Sequence, residues 1–463
     1  MKNTKSFYQI QRQEIPRRSV GVRKTDWKEV DQTPDFQMMA QQAERCMDCG
    51  VPFCQSETGC PVDNDIPDWN QLTSQGRLHE ALTRLQATNN FPEMTGRLCP
   101  APCESACVLG LRSDPVNIRA IEWGLVEEGF RQGWIQPKPA VKKTERKIAI
   151  IGSGPAGLAA AQQLARQGHS VTVFEKERQA GGLLRYGIPD FKLQKSWVDR
   201  RLTQLQAEGV ELKTSTCLGK DFDYQDLQKN FEVVALAMGA EKPRDLLVPG
   251  RELRGIHLAM DYLKDQNRFF SGESQDLQIN ARGKRVVILG GGDTGSDCLG
   301  TALRQEALSV VQFEIQAQPS ELRSEKTPWP FWPMKLKVSH AHEEGGSRQW
   351  SFSTEAFLGS GGRVEKLAVR KLGDKGSDSL MTWEADLVFL ALGFTGIQRD
   401  YLKSIPNLKI SENGRIQTDQ FQTSEPGVFA CGDSQRGASL IVWAIAEGRK
   451  MATAIEAYLA KEK

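Results

Sequence analysis

The sequence IAIIGSGPAG at residues 148–157 places a short apolar strand directly before a glycine-rich loop. An alanine-rich helix and a second apolar strand at 171–174 follow, which completes a βαβ unit of nearly minimal length. In such a loop Gly152 permits a tight turn, Gly154 lets a pyrophosphate approach the backbone, and Gly157 allows the helix to pack closely. This stretch therefore predicts a dinucleotide-binding module.

The same design occurs a second time further along the chain. Residues 286–295, with the sequence VVILGGGDTG, again join an apolar strand to a glycine loop. An acidic residue, Glu175 or Glu314, follows each loop by roughly 20 residues, where a ribose hydroxyl is usually bound. Each module also leads to an apolar strand that ends in glycine, at 233–239 and at 387–393. The chain thus contains an internal repeat with two predicted dinucleotide sites.

Seven of the ten cysteines lie in the first quarter of the chain. Such dense spacing supplies the soft thiolate ligands that iron–sulfur clusters require. Zinc is an alternative, because CxxC also begins zinc sites, whereas disulfides are disfavoured in a reducing compartment. Two clusters need about eight ligands, so one ligand would not be a cysteine. The clustered residues are Cys46, Cys49, Cys54, Cys60, Cys99, Cys103 and Cys107; Cys217, Cys298 and Cys431 are predicted to be packing residues.

Length and composition exclude several classes of protein. A chain of 463 residues suggests about three domains. The net charge of +2 gives no reason to expect nucleic acid or a membrane surface as a partner. Residues 1–5 are polar and predict no signal peptide, and no segment approaches the ~18 apolar residues of a membrane span. We therefore expect a soluble, cytoplasmic protein.

The predicted fold is of the α/β class, with an N-terminal α-helical domain followed by two Rossmann-like domains. The N-terminal region lacks strand patterns and contains helix-like stretches at Asp35–Cys46 and Gln71–Gln86. A linker rich in proline and charge ends it. The tail, with a predicted helix from Leu440 to Leu459, is expected to return to the first dinucleotide-binding domain. The predicted domains are 1–144 (helical), 145–245 with 385–463 (first dinucleotide-binding) and 246–384 (second dinucleotide-binding).

The surroundings of the first loop resemble the FAD domain of flavoprotein reductases that have two dinucleotide-binding domains. The resemblance rests on the loop itself, on GGLLRYG at 181–187 and on CGD at 431–433. It implies that Glu175 binds the adenosine ribose and that Asp433 lies on the ribityl-phosphate side of the flavin. The implied FAD-binding residues are Gly152, Gly154, Pro155, Ala156, Gly157, Glu175, Gly182, Leu183, Arg185, Gly432 and Asp433.

The second loop resembles the nicotinamide domain of the same enzymes. Glu314 should accept a hydrogen bond from a ribose 2′-hydroxyl and repel a 2′-phosphate, which on physical grounds favours NADH. The nearby Arg323, Lys326 and Lys335 would reverse this preference, unless they are simply solvated. The implied nicotinamide-binding residues are Gly290, Gly291, Gly292, Asp293, Thr294, Gly295, Glu314 and Arg323.

Over essentially its whole length the chain resembles the glutamate synthase small (beta) subunit family, and its cysteine region also resembles a domain of dihydropyrimidine dehydrogenase. The motifs are CMDCGVPFC at 46–54, CPAPCESAC at 99–107, GGLLRYGIP at 181–189, PWPFWP at 328–333 and HEEGG at 342–346. The resemblance implies two [4Fe–4S] clusters, with Glu122 as the non-cysteine ligand; a surface helix glutamate is the alternative for Glu122. The implied ligands are Cys46, Cys49, Cys54 and Cys107 for the first cluster, and Cys60, Cys99, Cys103 and Glu122 for the second.

The resemblance implies an electron-input subunit that oxidises NADPH at FAD. Electrons would pass through the clusters to a large (alpha) subunit, which makes glutamate from glutamine and 2-oxoglutarate. The sequence offers no N-terminal cysteine nucleophile and no barrel-sized segment, so that chemistry is assigned to the partner. Hydride transfer depends on stacking and orientation, so no catalytic side chain is named. A helix that begins near Ser439 is expected to direct its N-terminus at the flavin.

Other functions remain alternatives at this point. A similar reductase subunit could serve another acceptor, as in a ferredoxin:NADP transhydrogenase or a pyrimidine-reducing complex. Thioredoxin reductase is disfavoured, because its nicotinamide domain carries CxxC and the corresponding region here contains only Cys298. From another class, the N-terminal region could be a zinc-bearing docking domain on an inactive flavoprotein fold.

Overall fold

The N-terminal domain is helical, as predicted. The structure, a computed structural model, describes residues 6–373 and 380–461, so the polar residues 1–5 lie outside the described residues. Asp35 caps one helix by accepting a hydrogen bond from Met38 N at 2.8 Å, and Trp69 and Trp123 are fully buried in the domain core. The helices are α1 (Ser6–Gln9), α2 (Val20–Arg23), α3 (Phe36–Glu44), α4 (Ile66–Ser74), α5 (Leu78–Thr88), α6 (Pro92–Leu98), α7 (Pro102–Ser105) and α8 (Ile118–Arg131).

The first dinucleotide-binding domain begins immediately after the linker. Its central strands are buried and parallel, which is why they appear in the sequence as continuous apolar runs. Its first part contains β1 (Lys147–Ile151), α9 (Pro155–Arg166), β2 (Ser170–Phe174), α10 (Leu183–Tyr186), α11 (Lys195–Ala207), β3 (Val210–Lys213), α12 (Tyr224–Asn230) and β4 (Val233–Leu236).

The second domain repeats this arrangement and adds an antiparallel sheet. A short strand, β5 (Lys242–Pro243), leads into it. The elements of the second domain are β6 (Ile256–Leu258), α13 (Ala259–Phe270), β7 (Arg285–Leu289), α14 (Asp293–Arg304), β8 (Ser309–Glu314), α15 (His340–Glu344), β9 (Ser347–Trp350), β10 (Phe352–Ser360), β11 (Arg363–Lys371), β12 (Met381–Glu384) and β13 (Leu387–Leu390). Its parallel sheet has the order β6-β13-β7-β8-β9, and β10, β11 and β12 form the separate sheet.

One predicted domain boundary differs from the structure. The boundary at residue 385 assigned β13 to the first domain, but Leu387 to Leu390 pair with β7 of the second domain. The repeat itself explains the difference, since β13 occupies the position that β4 has in the first domain, beside the strand that precedes the glycine loop. The second domain therefore extends to residue 390.

The tail completes the first domain, as the sequence predicted. A strand beyond β13 pairs antiparallel with β5, so the two connections between the domains lie side by side. A later strand then pairs parallel with β4 and extends the first sheet to seven strands. The elements are β14 (Phe394–Gly396), β15 (Thr418–Asp419), β16 (Gln422–Thr423), β17 (Val428–Ala430), α16 (Asp433–Arg436) and α17 (Ile441–Lys461).

Residues 17–31, here called the N-terminal arm, fasten the helical domain to the second dinucleotide-binding domain. Arg23 Nε donates to Glu344 Oε1 at 2.8 Å, and Arg304 Nη1 donates to Glu344 Oε2 at 2.6 Å. All three side chains are at most 2% exposed. Removing one partner of a buried ion pair costs about 3–5 kcal/mol, so this contact fixes how the domains are arranged. A second buried pair, Arg201 with Glu93, joins the helical domain to α11.

Within residues 6–373 and 380–461, none of the helices combines the length and apolar character that a bilayer span requires.

Candidate functional site

The first group of cysteines lines one pocket of the helical domain. Cys46 follows α3, Cys54 lies in the short 3-10 turn Phe53–Gln55, and Cys107 follows α7. Together with Cys49 they line this pocket. In the described part of the chain no three ligand side chains are close enough to hold a single metal ion. Four thiols spread around a cavity are instead suited to a cluster of several irons.

The thiols of this first pocket influence one another's ionisation. Burial raises the pKa of Cys54, and the charges of the neighbouring cysteines raise it further. The pKa of Cys49 is raised for the same reasons. Thiolates that repel one another in a poorly solvated pocket are stabilised by bound metal, so metal binding is expected to release protons.

The other three cysteines line a second pocket, and all of its ligands are buried. Cys60, Cys99 and Cys103 line it together with Glu122 of α8. Burial raises the pKa of Cys60 to about 12, with a further contribution from the charge of Glu122. Glu122 is only 6% exposed, so it is not the surface glutamate that the sequence allowed.

The carboxylate of Glu122 is held by one of its two oxygens. Oε1 accepts hydrogen bonds from Asn89 Nδ2 at 2.8 Å and from the Thr95 hydroxyl. Burial raises the pKa of Glu122 to about 7, and these two hydrogen bonds act in the opposite direction. Among the residues that the structure describes, no hydrogen bond reaches Oε2, which is therefore available to a metal ion. The donor set fits a cluster with one carboxylate ligand.

The glycines of the first loop adopt the geometry that a bound pyrophosphate needs. Gly152 has a φ of +103°, which is reserved in practice for glycine. A Cβ atom on Gly154 would meet nothing within 4 Å, so space is open above the loop. A Cβ on Gly157 would lie 2.1 Å from Gly152 O, so helix α9 packs against the turn only because this residue is glycine.

Glu175 lies over this first loop, where the ribose was predicted. Its Oε2 accepts a hydrogen bond from Ser153 N at 3.1 Å and another from the Ser153 hydroxyl, and its Oε1 accepts one from Glu177 N at 2.9 Å. The Ser153 hydroxyl in turn accepts a hydrogen bond from Gly181 N at 2.9 Å. The loop, the acidic residue and the GGLLRYG motif thus form one hydrogen-bonded unit.

The remaining residues predicted to bind FAD surround the same loop. Gly182 lies against Gly154, since a Cβ there would be 2.9 Å from Gly154 Cα, and Leu183 is exposed beside it. Pro155 and Ala156 begin α9. The guanidinium of Arg185 donates to Ala180 O at 2.6 Å and pairs with Asp199, and its role at FAD stays a prediction.

The end of the chain returns to this loop through Gly432 and Asp433. A Cβ on Gly432 would lie 2.8 Å from the Ala156 Cβ, which places the CGD motif beside helix α9. Asp433 Oδ1 accepts hydrogen bonds from Ser439 N at 3.2 Å and Ser439 Oγ at 3.1 Å. Burial raises the pKa of Asp433 to about 6.

The second loop repeats the geometry of the first in a more exposed setting. Gly290 has a φ of +119°, a Cβ on Gly292 would meet nothing within 4 Å, and a Cβ on Gly295 would lie 2.4 Å from Gly290 O. Glu314 lies over Gly291, where a Cβ would be 2.1 Å from its Oε2. Asp293 and Thr294 begin α14.

A pair of polar side chains that the sequence analysis missed supports the second loop. Gln312 Nε2 donates to Gly290 O at 2.7 Å, and Gln312 Oε1 is 2.8 Å from His342 Nε2. Burial lowers the pKa of His342 to about 4, so the imidazole is neutral at pH 7 and donates this hydrogen bond. The available signal was the HEEGG motif, which contains His342 but gives no indication of its partner.

Arg323 is engaged away from Glu314. Its guanidinium donates to Thr327 O at 3.2 Å, to Phe331 O at 2.5 Å and to Ser105 O at 3.1 Å. It therefore stabilises the PWPFWP segment and joins it to the helical domain. Its role at a 2′-phosphate stays a prediction, and one that requires these hydrogen bonds to break. Lys326 and Lys335 are exposed.

Two family models match the chain. Residues 146–448 match pyridine nucleotide-disulphide oxidoreductase, and residues 23–134 match dihydropyrimidine dehydrogenase domain II, 4Fe-4S cluster. The second match identifies the helical domain as an iron–sulfur domain and disfavours the zinc alternative.

Solved structures share the fold of the two dinucleotide-binding domains. FprA of Mycobacterium tuberculosis in complex with NADPH is 17% identical, with a TM-score of 0.56 over 69% of this chain and 85% of that one. Thioredoxin reductase of Lactococcus lactis is 18% identical, with a TM-score of 0.50 over 68% of this chain and 100% of that one. At these identities the likeness concerns the fold alone, and it confirms the predicted fold class.

Curated relatives match over nearly the whole chain. The glutamate synthase [NADPH] small chain of Mycobacterium tuberculosis is 52% identical over 98% of this chain and 95% of that protein. The protein of the same name in Bacillus subtilis is 42% identical, with 98% and 97% covered. Glutamate synthase [NADH] of Schizosaccharomyces pombe is 41% identical, and the match covers 98% of this chain but 22% of that protein. The chain belongs to the glutamate synthase small-chain family.

Proposed function

We propose that this chain is the electron-input subunit of a glutamate synthase, which oxidises NADPH and delivers the electrons to a large subunit. The observation that carries the proposal is that one chain joins two pockets lined by four metal ligands each to two nucleotide loops. Relatives that are named glutamate synthase small chains match this chain over nearly its whole length. The large subunit would form glutamate from glutamine and 2-oxoglutarate.

The residues of the two loops bind and orient the nucleotides. The open space above Gly154 and Gly292 would receive the two pyrophosphates, each at the start of a helix where backbone N–H groups favour negative charge. FAD, when bound, accepts electrons in pairs and releases them singly, which is the conversion needed between a nicotinamide and an iron–sulfur cluster. Helix α17 begins at Ile441, close after the CGD motif, and its N-terminus would stabilise negative charge there.

The two cysteine pockets are placed differently with respect to the flavin domain. The pocket of Cys60, Cys99, Cys103 and Glu122 is also lined by Val442, in the first turn of α17. The other pocket has half-buried ligands, Cys46 and Cys49, at the surface of the helical domain. We assign one [4Fe–4S] cluster to each pocket, with the second pocket next to the flavin domain and the first next to the partner.

The preferred donor is proposed to be NADPH, as for the bacterial relatives. Glu314 is the feature that opposes this assignment, because its carboxylate lies over the second loop where it would meet a 2′-phosphate. The ratio of kcat/KM for NADPH and NADH with an artificial acceptor tests the assignment, and a preference for NADH would overturn it.

We also propose a cytoplasmic location. Iron–sulfur ligation requires the cysteines of the two pockets to stay reduced, which a reducing compartment favours.

Anaerobic reconstitution tests the proposed function. The purified chain should hold about eight irons and one FAD, as two four-iron clusters and one flavin site require. It should reduce ferricyanide with NADPH and form no glutamate from glutamine and 2-oxoglutarate, and the large subunit should restore glutamate formation. Zinc in place of iron, or glutamate formed by the isolated chain, would contradict the proposal.

A further inference from the structure

A segment of the first dinucleotide-binding domain extends from the flavin loop to the helix of the nicotinamide loop. This segment, residues 181–193, is called here the bridging segment. It starts at the first loop, where Gly181 N donates to Ser153 Oγ at 2.9 Å and Gly182 lies against Gly154. It ends at α14, the helix that follows the second glycine loop.

Phe191 anchors the far end of the bridging segment. Its ring is fully buried and lies under Gly300 of α14, where a Cβ atom would be 2.8 Å from the ring. The guanidinium of Arg304, also in α14, stands 4.0 Å above the ring centroid. Val30 N of the N-terminal arm donates to Phe191 O at 2.9 Å. The position of the next residue, Lys192, is therefore fixed from several sides.

Lys192 directs its ammonium at the first turns of α14. Its Nζ lies 2.7 Å from Asp297 Oδ1. Burial lowers the pKa of Lys192, but Asp297 and Asp293 outweigh this effect and the pKa is raised, so the group is charged. Among the described residues its one hydrogen bond goes to Asp297, and its side chain keeps 20% of its surface exposed. The other two N–H donors of this ammonium have no hydrogen-bond acceptor among the residues that the structure describes.

The two carboxylates explain why a cation is needed here. Asp293 is the first residue of α14, next to Gly292, and Asp297 lies one turn further on. A carboxylate at the start of this helix would repel the pyrophosphate that the glycine loop is shaped to accept. Desolvation lowers the pKa of Lys337, and the negative charge of Asp293 partly offsets this effect. The Asp293 carboxylate therefore acts to raise the pKa of lysines from two separate segments, Lys192 and Lys337.

We propose that Lys192 binds the diphosphate of the nicotinamide nucleotide, as a positioning residue supplied by the flavin domain. The inference rests on the proposed function, since it concerns how the nicotinamide nucleotide is held. Lys192 then has two roles. Its positive charge offsets the carboxylates of Asp293 and Asp297, and its N–H groups donate hydrogen bonds to the phosphates. The bridging segment then sets the distance between the flavin loop and the bound nicotinamide nucleotide.

The test is equilibrium binding of NADP⁺ and of NAD⁺ to the full-length protein with FAD and clusters, measured by calorimetry. Lys192→Met should weaken both nucleotides by roughly 10- to 100-fold, because a charge-assisted hydrogen bond is lost. The diphosphate is common to both, so the ratio of the two dissociation constants should stay unchanged. Weakening of NADP⁺ alone would place Lys192 at the 2′-phosphate and overturn the proposal.

A second variant separates direct contact from charge cancellation. Asp297→Asn should leave NADP⁺ affinity unchanged or raise it. Lys192→Met with Asp297→Asn should still bind NADP⁺ several-fold more weakly than the original protein, because the hydrogen bond to the phosphates is lost even where the negative charge is removed. Recovery of the original affinity in the double variant would show that Lys192 only neutralises Asp297. Lys192→Arg should retain most of the affinity, which keeps the test valid if the methionine variant folds poorly.

Lys264→Met is the matched control. Lys264 has a similarly exposed side chain, at 24%, and an ion pair with Glu177 at 3.6 Å, so its loss should not change NADP⁺ binding. Unchanged binding in a folded, FAD-loaded Lys192→Met protein would overturn the proposal. Failure of the unsubstituted protein to bind either nucleotide would instead contradict the proposed function.

Discussion

The first cysteine pocket, here called the open pocket, has half-buried ligands at the surface of the helical domain. All ligands of the second, here called the closed pocket, are buried, and Val442 of α17 lies beside them. Cys46 and Cys49 are half-buried, and the neighbouring Val51 is 70% exposed. In the second pocket Cys60, at 6%, is as little exposed as Glu122. Both ligand sets consist mostly of cysteine thiols, so the two pockets differ chiefly in the exposure of their ligands to solvent and in the residues around them.

The difference shows how a closed pocket accommodates a fourth negative ligand. A carboxylate accepts strong hydrogen bonds, and Asn89 and Thr95 supply two of them to Glu122. A thiolate is a weaker acceptor and would draw less stabilisation from the same donors. The open pocket, whose Cys46 and Cys49 are half-buried and so partly exposed to solvent, uses four cysteines.

The largest effect should come from removing a thiol of the closed pocket. Cys103→Ser should lose roughly half of the iron and lower the Tm by on the order of 5 °C, because metal binding there contributes to folding. Iron analysis and thermal unfolding measure the two effects. Cys298→Ser, at an equally buried cysteine outside both pockets, should keep all its iron. Full iron content in Cys103→Ser would remove this residue from the ligand set.

The open pocket should respond without loss of the flavin site. Cys49→Ser should also lose roughly half of the iron, yet NADPH-dependent dye reduction should stay within about twofold of the original. Glutamate formation with the large subunit should fall at least about 100-fold, since the pocket next to the partner is affected. Loss of dye reduction in a folded Cys49→Ser protein would show that the flavin site depends on the open pocket as well.

Glu122 distinguishes the pockets by ligand type. Glu122→Ala should alter the electron paramagnetic resonance signal of one cluster and leave the other unchanged, because the first pocket contains only cysteines. We expect a smaller loss than in Cys103→Ser, since three thiols remain. Glu128→Ala on the same helix is the control, because Glu128 pairs with Arg131 at the surface. An unchanged spectrum in Glu122→Ala would exclude the carboxylate as a ligand.

The smallest effect concerns the turns that carry the cysteines. Each pocket has a non-glycine residue with positive φ between two of its cysteines, Asp48 at 53° and Ala101 at 60°. Ala101→Gly should stabilise the protein by about 0.5 kcal/mol, because alanine is strained in this conformation. Asp48→Gly should change little, since aspartate tolerates it. Denaturant unfolding followed by cluster absorbance measures both, and equal effects would contradict this reasoning.

The elements that depend on local sequence were predictable. The turn at Gly152 and its copy at Gly290 need only a short run of residues, and both have the positive φ that a tight loop requires. The helix predicted from Leu440 to Leu459 is α17. The cysteine groups required the family resemblance, because spacing alone does not say which thiols of a helical domain face one pocket.

Contacts between residues distant in sequence were not predictable. Arg23 pairs with Glu344 across 321 positions, and neither residue type suggests a partner. Arg323 was expected at the nicotinamide nucleotide because of its position, but the PWPFWP segment turns its guanidinium to the carbonyl of Ser105. The boundary at residue 385 was misplaced because the apolar sequence of β13 does not indicate which of the two parallel sheets the strand joins.

The N-terminal arm bears on how the protein could be divided for engineering. A flavoprotein cut out at residue 145 would contain Glu344 and Arg304 without Arg23. It would also uncover Phe191, whose ring Trp27 contacts and whose carbonyl oxygen accepts a hydrogen bond from Val30 N. The cut would also remove Glu93 from the buried Arg201. The helical domain therefore cannot be removed as an independent electron-transfer domain without taking ion-pair partners away from buried charges of the other domains. Grafting this reductase onto another acceptor requires transplanting the chain whole, with a new partner fitted to its surface.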